Sequence, residues 1–133
     1  MEINKRTLVV DDSRVIRTIV GRALQELGFQ FIEASNGQDG LEKLAQGELP
    51  AVVMIDWNMP ELNGIEMVKT VRANPAWADV RLIMITSENE IERVQTALEA
   101  GADEYIMKPF TKEMIQEKLD ILGIPVPTPI PVM

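Results

Sequence analysis

Two residue types are missing from this 133-residue chain: it has no cysteine and no histidine. The first absence excludes disulfides and thiolate metal sites. The second removes the commonest general base and a frequent zinc ligand. Chemistry therefore falls to carboxylates, hydroxyls, lysine or a bound hard metal ion. Positive charge is also short, with 13 Lys and Arg against 21 Asp and Glu and a net charge of −8. Such a surface repels nucleic-acid phosphates and anionic lipid, so neither is an expected partner. It favours cations, or a protein with a basic face. Long apolar runs are lacking too: nothing approaches membrane-spanning length, and the opening residues Met1 to Arg6 are too polar for a signal peptide. A cytoplasmic location is the resulting expectation.

What is present is a globular composition, 46% hydrophobic, in a length that fits one domain with a real core. Short β-type runs alternate with helical periodicity. Strands are expected at Thr7–Val10, Phe29–Ala34, Ala51–Ile55, Arg81–Ile85 and Tyr105–Met107. Between them, Val15, Ile16, Ile19, Val20, Ala23, Leu24 and Leu27 have helical spacing, with Gly28 as C-cap. Ser35 with Gln38, and Ser87 with Glu90, have the spacing of capping boxes. Gly64–Ala73 reads as a helix stopped by Asn74-Pro75, and Thr111 as the cap of a last helix carrying Met114, Ile115, Leu119 and Leu122. Five strands alternating with five helices predict an α/β domain with a parallel sheet covered on both faces. Beyond residue 122 prolines fall on every second position from Pro125 to Pro131, so 123–133 is expected to be a mobile, extended tail.

Four apolar runs end in residues able to handle phosphate or metal. Leu8-Val9-Val10 leads into Asp11-Asp12, Val52–Ile55 into Asp56, Leu82–Ile85 into Thr86-Ser87, and Tyr105-Ile106-Met107 into Lys108-Pro109. Each has an ordinary alternative: Asp and Ser cap helices, Asp56 could open a turn, and Lys108 could be a solvated lysine. In a parallel sheet, however, all four ends meet at one edge, where open α/β sheets bind ligands. Two unit charges about 4 Å apart repel by roughly 4 kcal/mol at an effective dielectric near 20. Three clustered carboxylates would therefore take up protons unless a cation joined them. Oxygen ligands without His or Cys suit magnesium or manganese. A divalent cation, Lys108 and a hydroxyl together suit a phosphoryl group, with Asp56 as nucleophile.

These residues, together with Trp57-Asn58-Met59-Pro60, Gly64, Gly101-Ala102 and Phe110, resemble a response-regulator receiver domain of the CheY-like, single-domain chemotaxis type. The resemblance spans about residues 5 to 122, within an expected receiver domain at 1–122. It implies a flavodoxin-like (βα)5 three-layer sandwich with strand order 2-1-3-4-5, the order the chemotaxis regulators exemplify. It further implies that Asp56 is the phosphoacceptor. Asp12, Asp56 and the Asn58 main-chain carbonyl would bind the metal, Asp11 acting mostly through water. Thr86 and Lys108 would hold phosphoryl oxygens, Lys108–Pro109 would be cis, and Tyr105 would be the switch aromatic. Asn58 and Glu88 would tune how fast the acyl phosphate hydrolyses. The implied donor is a sensor histidine kinase or a phosphotransfer protein. The implied target docks on the face of the fourth helix, fifth strand and fifth helix, with the chain a monomer or weak dimer. Its own chemistry would be limited to self-phosphorylation and autodephosphorylation.

Departures from the family pattern are Asn63 where many members have Asp, Ser87 where many have Ala, and Asn89-Glu90-Ile91 at the start of the fourth helix. Other classes fit less well. A haloacid-dehalogenase-like phosphohydrolase needs an acidic residue two after its nucleophile, and Asn58 stands there. A flavodoxin-like flavin binder needs a Ser/Thr/Gly-rich first loop, and Asp11-Asp12-Ser13-Arg14 would repel its phosphate. A phosphorylation-independent interaction module would not need the full set of Asp56, Thr86 and Lys108.

Overall fold

The computed structural model describes residues 3–57, 59, 63–87 and 92–131. Five strands, β1 (Arg6–Val10), β2 (Gln30–Ala34), β3 (Val52–Asp56), β4 (Arg81–Thr86) and β5 (Glu104–Met107), form one sheet in the order β2-β1-β3-β4-β5. Every pairing is parallel. The helices are α1 (Arg14–Glu26), α2 (Gly37–Leu44), α3 (Gly64–Ala73), α4 (Val94–Ala100) and α5 (Lys112–Ile121), with a short 3-10 turn at Pro75–Trp77. This is the flavodoxin-like arrangement and strand order expected.

Alternation along the strands builds two cores. Leu8, Val10, Val53, Ile55, Leu82 and Met84 face α2, α3 and α4, where Leu44, Met67, Val68, Val71 and Ala97 meet them. Val9, Val52, Met54, Ile83, Ile85 and Ile106 face α1 and α5 and pack with Val20, Leu24, Leu27, Ile115 and Leu119. The three central strands are buried on both sides, so their sequences are continuous apolar runs.

Local chemistry moved some expected boundaries. The cap of α2 is Asn36, whose side chain accepts from Asp39 N, while Asp39 Oδ2 accepts from Ser35 N. That reciprocal box, one residue later, displaces the Ser35–Gln38 pair. In α1 the seven apolar positions exceed what one stripe can bury: Val15 and Ile19 are 67% and 55% exposed. The regular turns of α4 begin at Val94, and Arg93 supplies no side-chain cap. Glu90, the partner expected for Ser87 at that cap, lies outside the described residues.

The segment expected to be a mobile tail is packed in the structure. Ile124 is buried in the second core, and Val126 and Ile130 pack against it. Thr128 N donates to Leu27 O at 2.8 Å, and Ile130 N to Gln116 Oε1 at 2.7 Å. Gly28, at φ 93°, makes room for the segment: a β-carbon there would stand 2.7 Å from Thr128 Oγ1. The prolines keep the backbone extended, and extension puts every second residue on one side. Those residues include Ile124, Val126 and Ile130, so the segment carries its own apolar edge.

Away from the strands' carboxyl ends, Arg72 at the end of α3 ties several elements together. It donates to Gly101 O, Trp77 O and Val80 O, and pairs with Asp103 at 2.7 Å. Asp103 Oδ2 also accepts from Leu82 N. The connections into β4 and β5 are thereby joined to α3.

Candidate functional site at the carboxyl edge of the sheet

The strand order reverses between β1 and β3, which opens a crevice at their carboxyl ends. β1 delivers Asp11 and Asp12, and β3 delivers Asp56. One carboxylate oxygen from each lies within 4.8 Å of the others. β5 leads into Lys108, whose Nζ stands 3.4 Å from Asp56 Oδ1. Thr86 closes β4, is fully buried, and its main-chain oxygen accepts from Lys108 N at 2.8 Å. The Lys108–Pro109 peptide bond is cis.

The side chains are fixed by short local bonds. Ser13 N donates to Asp11 Oδ1 at 2.8 Å, and Ser13 Oγ in turn caps α1. Arg17, held by Glu33, donates to Asp11 O. Trp57 N donates to Ile85 O, which keeps the chain leaving Asp56 beside β4. Gly64 opens α3 directly beneath: its N–H donates to Trp57 O, and a β-carbon there would meet Asp56 O at 2.5 Å. Only a residue without a side chain lets this helix start so close to the Asp56 main chain.

The electrostatics are unfavourable for bare carboxylates. Burial, then the neighbouring Asp11 charge, pushes the Asp56 carboxyl from the usual 3.8 to about 6, with Lys108 opposing the rise. Burial likewise raises Asp11, opposed by the Ser13 N–H and by Lys108. Two buried polar atoms, Asp11 Oδ2 and Thr86 Oγ1, have no hydrogen-bond partner among the described residues. An orphaned buried oxygen is costly and usually signals a missing partner. A hard divalent ion would satisfy the first and relieve the carboxylate repulsion. An oxyanion placed against Lys108 would give the hydroxyl an acceptor. The donor set therefore fits a cation and a phosphoryl group side by side.

Tyr105 lies one register step from Thr86 along the β4–β5 pair. It pairs with Met84 while Thr86 pairs with Met107. Parallel register puts Met84, Thr86, Tyr105 and Met107 on one face of the sheet. The half-buried Tyr105 ring packs against the first core on that face. Asn58 and Glu88, the expected hydrolysis-tuning positions, lie outside the described residues, and so does the Asn58 carbonyl expected to bind metal.

Other contacts near the site had no signal in the sequence. The Arg93 guanidinium lies over the Trp57 ring, 5.5 Å from its centroid. Lys118 Nζ lies over the Tyr105 ring at 4.6 Å and pairs with Glu104. These link residues distant in sequence, and no periodicity announces them. Gly64 was visible only as a motif position, without its steric reason.

Comparison with known proteins agrees with this geometry. Residues 7–120 match the family model for the response regulator receiver domain. The chain is 43% identical over 118 residues to chemotaxis protein CheY1 of Helicobacter pylori, covering 88% of this chain and 95% of that one. It is 45% identical over 120 residues to the CheY homolog of Campylobacter jejuni, covering 89% and 92%. The structure of chemotaxis protein CheY4 of Vibrio cholerae superposes with a TM-score of 0.80 at 33% identity, covering 87% of this chain and 96% of that one. The acidic trio, the buried threonine and the lysine thus stand at the edge of a receiver fold, and the chain belongs to the response regulator receiver family of phosphorylation-based two-component signalling.

Proposed function

We propose that this chain is a chemotaxis-type receiver whose Asp56 accepts a phosphoryl group from a phosphohistidine on a sensor kinase or phosphotransfer protein. The observation that carries the reading is the joining of Asp11, Asp12 and Lys108 around Asp56 at one sheet edge. The relatives named as chemotaxis proteins support the pathway. In the transfer, an Asp56 oxygen bonds to phosphorus as the phosphorus–nitrogen bond breaks, and the imidazole leaves with a proton. Lys108 pairs with one phosphoryl oxygen and the Thr86 hydroxyl donates to another. Asp12, Asp56 and the Asn58 carbonyl would hold magnesium or manganese, with Asp11 acting through water. The metal, when bound, neutralises the carboxylates against the incoming anion.

Reset is the attack of water on the acyl phosphate, returning the carboxylate and inorganic phosphate. Asn58 and Glu88 govern that water's access. Output follows from a two-state element biased by the new charge. Thr86 moves toward the phosphoryl group, Tyr105 follows on the same face, and the α4–β5–α5 surface changes its affinity for a protein target.

The test is intact mass after incubation with acetyl phosphate and magnesium, comparing wild type with Asp56→Asn. A single phosphoryl adduct, lost in the variant and in chelator, is the expected result. Equal labelling of Asp56→Asn would overturn the assignment.

A further inference from the structure

β5 is the edge strand of the sheet, with the α1 and α5 layer on one side and the α4 layer on the other. α5 packs on the second core through Ile115 and Leu119, whereas the Tyr105 ring packs on the first. Lys118 crosses between them. It leaves α5, passes around the open edge of β5, and places Nζ 4.6 Å from the Tyr105 ring centroid. Its ammonium is steered there by Glu104, whose Oε1 accepts from Lys118 Nζ at 3.2 Å and from Tyr105 N at 3.0 Å. One carboxylate oxygen therefore fixes both the backbone under the ring and the cation over it.

This differs from an ordinary surface ion pair. The side chains of Lys118 and Glu104 are only 21% and 18% exposed, so water screens the pair and the cation–π contact weakly. The bond to the Tyr105 amide adds a third tether.

We propose that Lys118 is a positioning residue for the Tyr105 ring. Held by Glu104, it latches the ring in its half-buried place in the unphosphorylated protein and sets how readily the phosphoryl signal moves it. The inference rests on the reading of Tyr105 as the switch aromatic. Loss of the cation releases the ring toward its phosphorylated-state position. Loss of Glu104 does so in part, because Lys118 then samples other directions.

The chain has one tyrosine, so 3-fluorotyrosine gives a single ring environment to follow by fluorine NMR. Spectra of wild type, Lys118→Met, Lys118→Arg and Glu104→Gln are compared, free and with magnesium and beryllofluoride. The ring's solvent isotope shift is read alongside the chemical shift, because direct shielding by the replaced cation does not alter solvent exposure. Free Lys118→Met is expected to show both quantities displaced toward those of the loaded wild type. Glu104→Gln should give a smaller displacement, and Lys118→Arg, which keeps a cation able to stack and to pair, should stay near wild type. Free Lys118→Met with the wild-type solvent isotope shift would overturn the proposal, while a normal wild-type response to the mimic leaves the switch reading intact. A wild-type ring unmoved by bound beryllofluoride would overturn the switch reading and the proposal with it.

Discussion

Lys108 Nζ approaches Asp56 Oδ1 at 3.4 Å, the one direct bond between a cation and the carboxylate cluster among the described residues. The contact holds Asp56 toward β5 and opposes the rise of its pKa. Lys108→Ala is expected to slow labelling by acetyl phosphate at least tenfold, since a charged donor to the transferring group is lost. It should also raise the pH at which Asp56 titrates in metal-free protein. Carboxyl carbon NMR of Asp56 and timed intact mass measure the two effects separately.

The second prediction concerns acid. Asp56 takes up its proton at about pH 6 in the fold and near 3.8 when unfolded. Between those values the folded chain binds more protons, so stability falls as pH rises through the window. Metal-free protein should therefore gain stability on going from pH 7.5 to 5, with this group contributing on the order of 1 kcal/mol, about half of what the whole window holds. Asp11, also raised, acts in the same direction. Urea midpoints at the two pH values should separate less in Asp56→Asn. Magnesium at pH 7.5 should stabilise the wild type, and at pH 6, where about half of Asp56 carries its proton, its binding should release protons. Identical pH profiles for wild type and variant would rule out the electrostatic account.

Thr86 is the place where function and stability oppose each other. Its hydroxyl is buried without a partner among the described residues. Thr86→Val removes that orphaned group and keeps the buried volume, so the metal-free variant should be at least as stable as wild type, by up to about 1–2 kcal/mol. Asp56 should still be labelled, but partner affinity should no longer respond to phosphorylation. Chemical denaturation and a phosphorylation-dependent pull-down check the two halves. Clear destabilisation by Thr86→Val, which leaves no cavity, would mean that the hydroxyl already has a partner.

The extended segment after α5 gives a fourth test. Truncation after Gly123 uncovers Leu27 and Leu119 and removes Ile124, Val126 and Ile130 from the second core. A loss of about 2–4 kcal/mol is expected from the apolar area alone. Hydrogen exchange should accelerate most at the carboxyl ends of α1 and α5, and in β3 only by the loss of global stability. An unaltered urea midpoint would show that the packing is marginal.

Much of this architecture was legible beforehand, for a physical reason. Continuous apolar runs in β1, β3 and β4 are what a sheet buried on both faces requires, and the polar residue ending each run marks the crevice. Asp11, Asp56, Thr86 and Lys108 could thus be placed together from alternation and strand direction alone. The helix starts were less legible, because Asn36 with Asp39 and Ser35 with Gln38 are equally good caps on paper and only packing decides between them. The Pro-rich segment misled because the prolines drew attention from the alternating Ile and Val between them. Lys118 on Glu104 and Arg93 on Trp57 were illegible, since side-chain pairing across elements leaves no periodic trace.

Arg72 gives the fold a fulcrum. By clamping the entries to β4 and β5 onto α3, far from the acidic crevice, it immobilises one end of both strands. A small displacement at the opposite end would then pivot instead of dissipating as a slide of the whole layer. On the proposed reading, a change that starts at Asp56 would reach the outer helices as leverage.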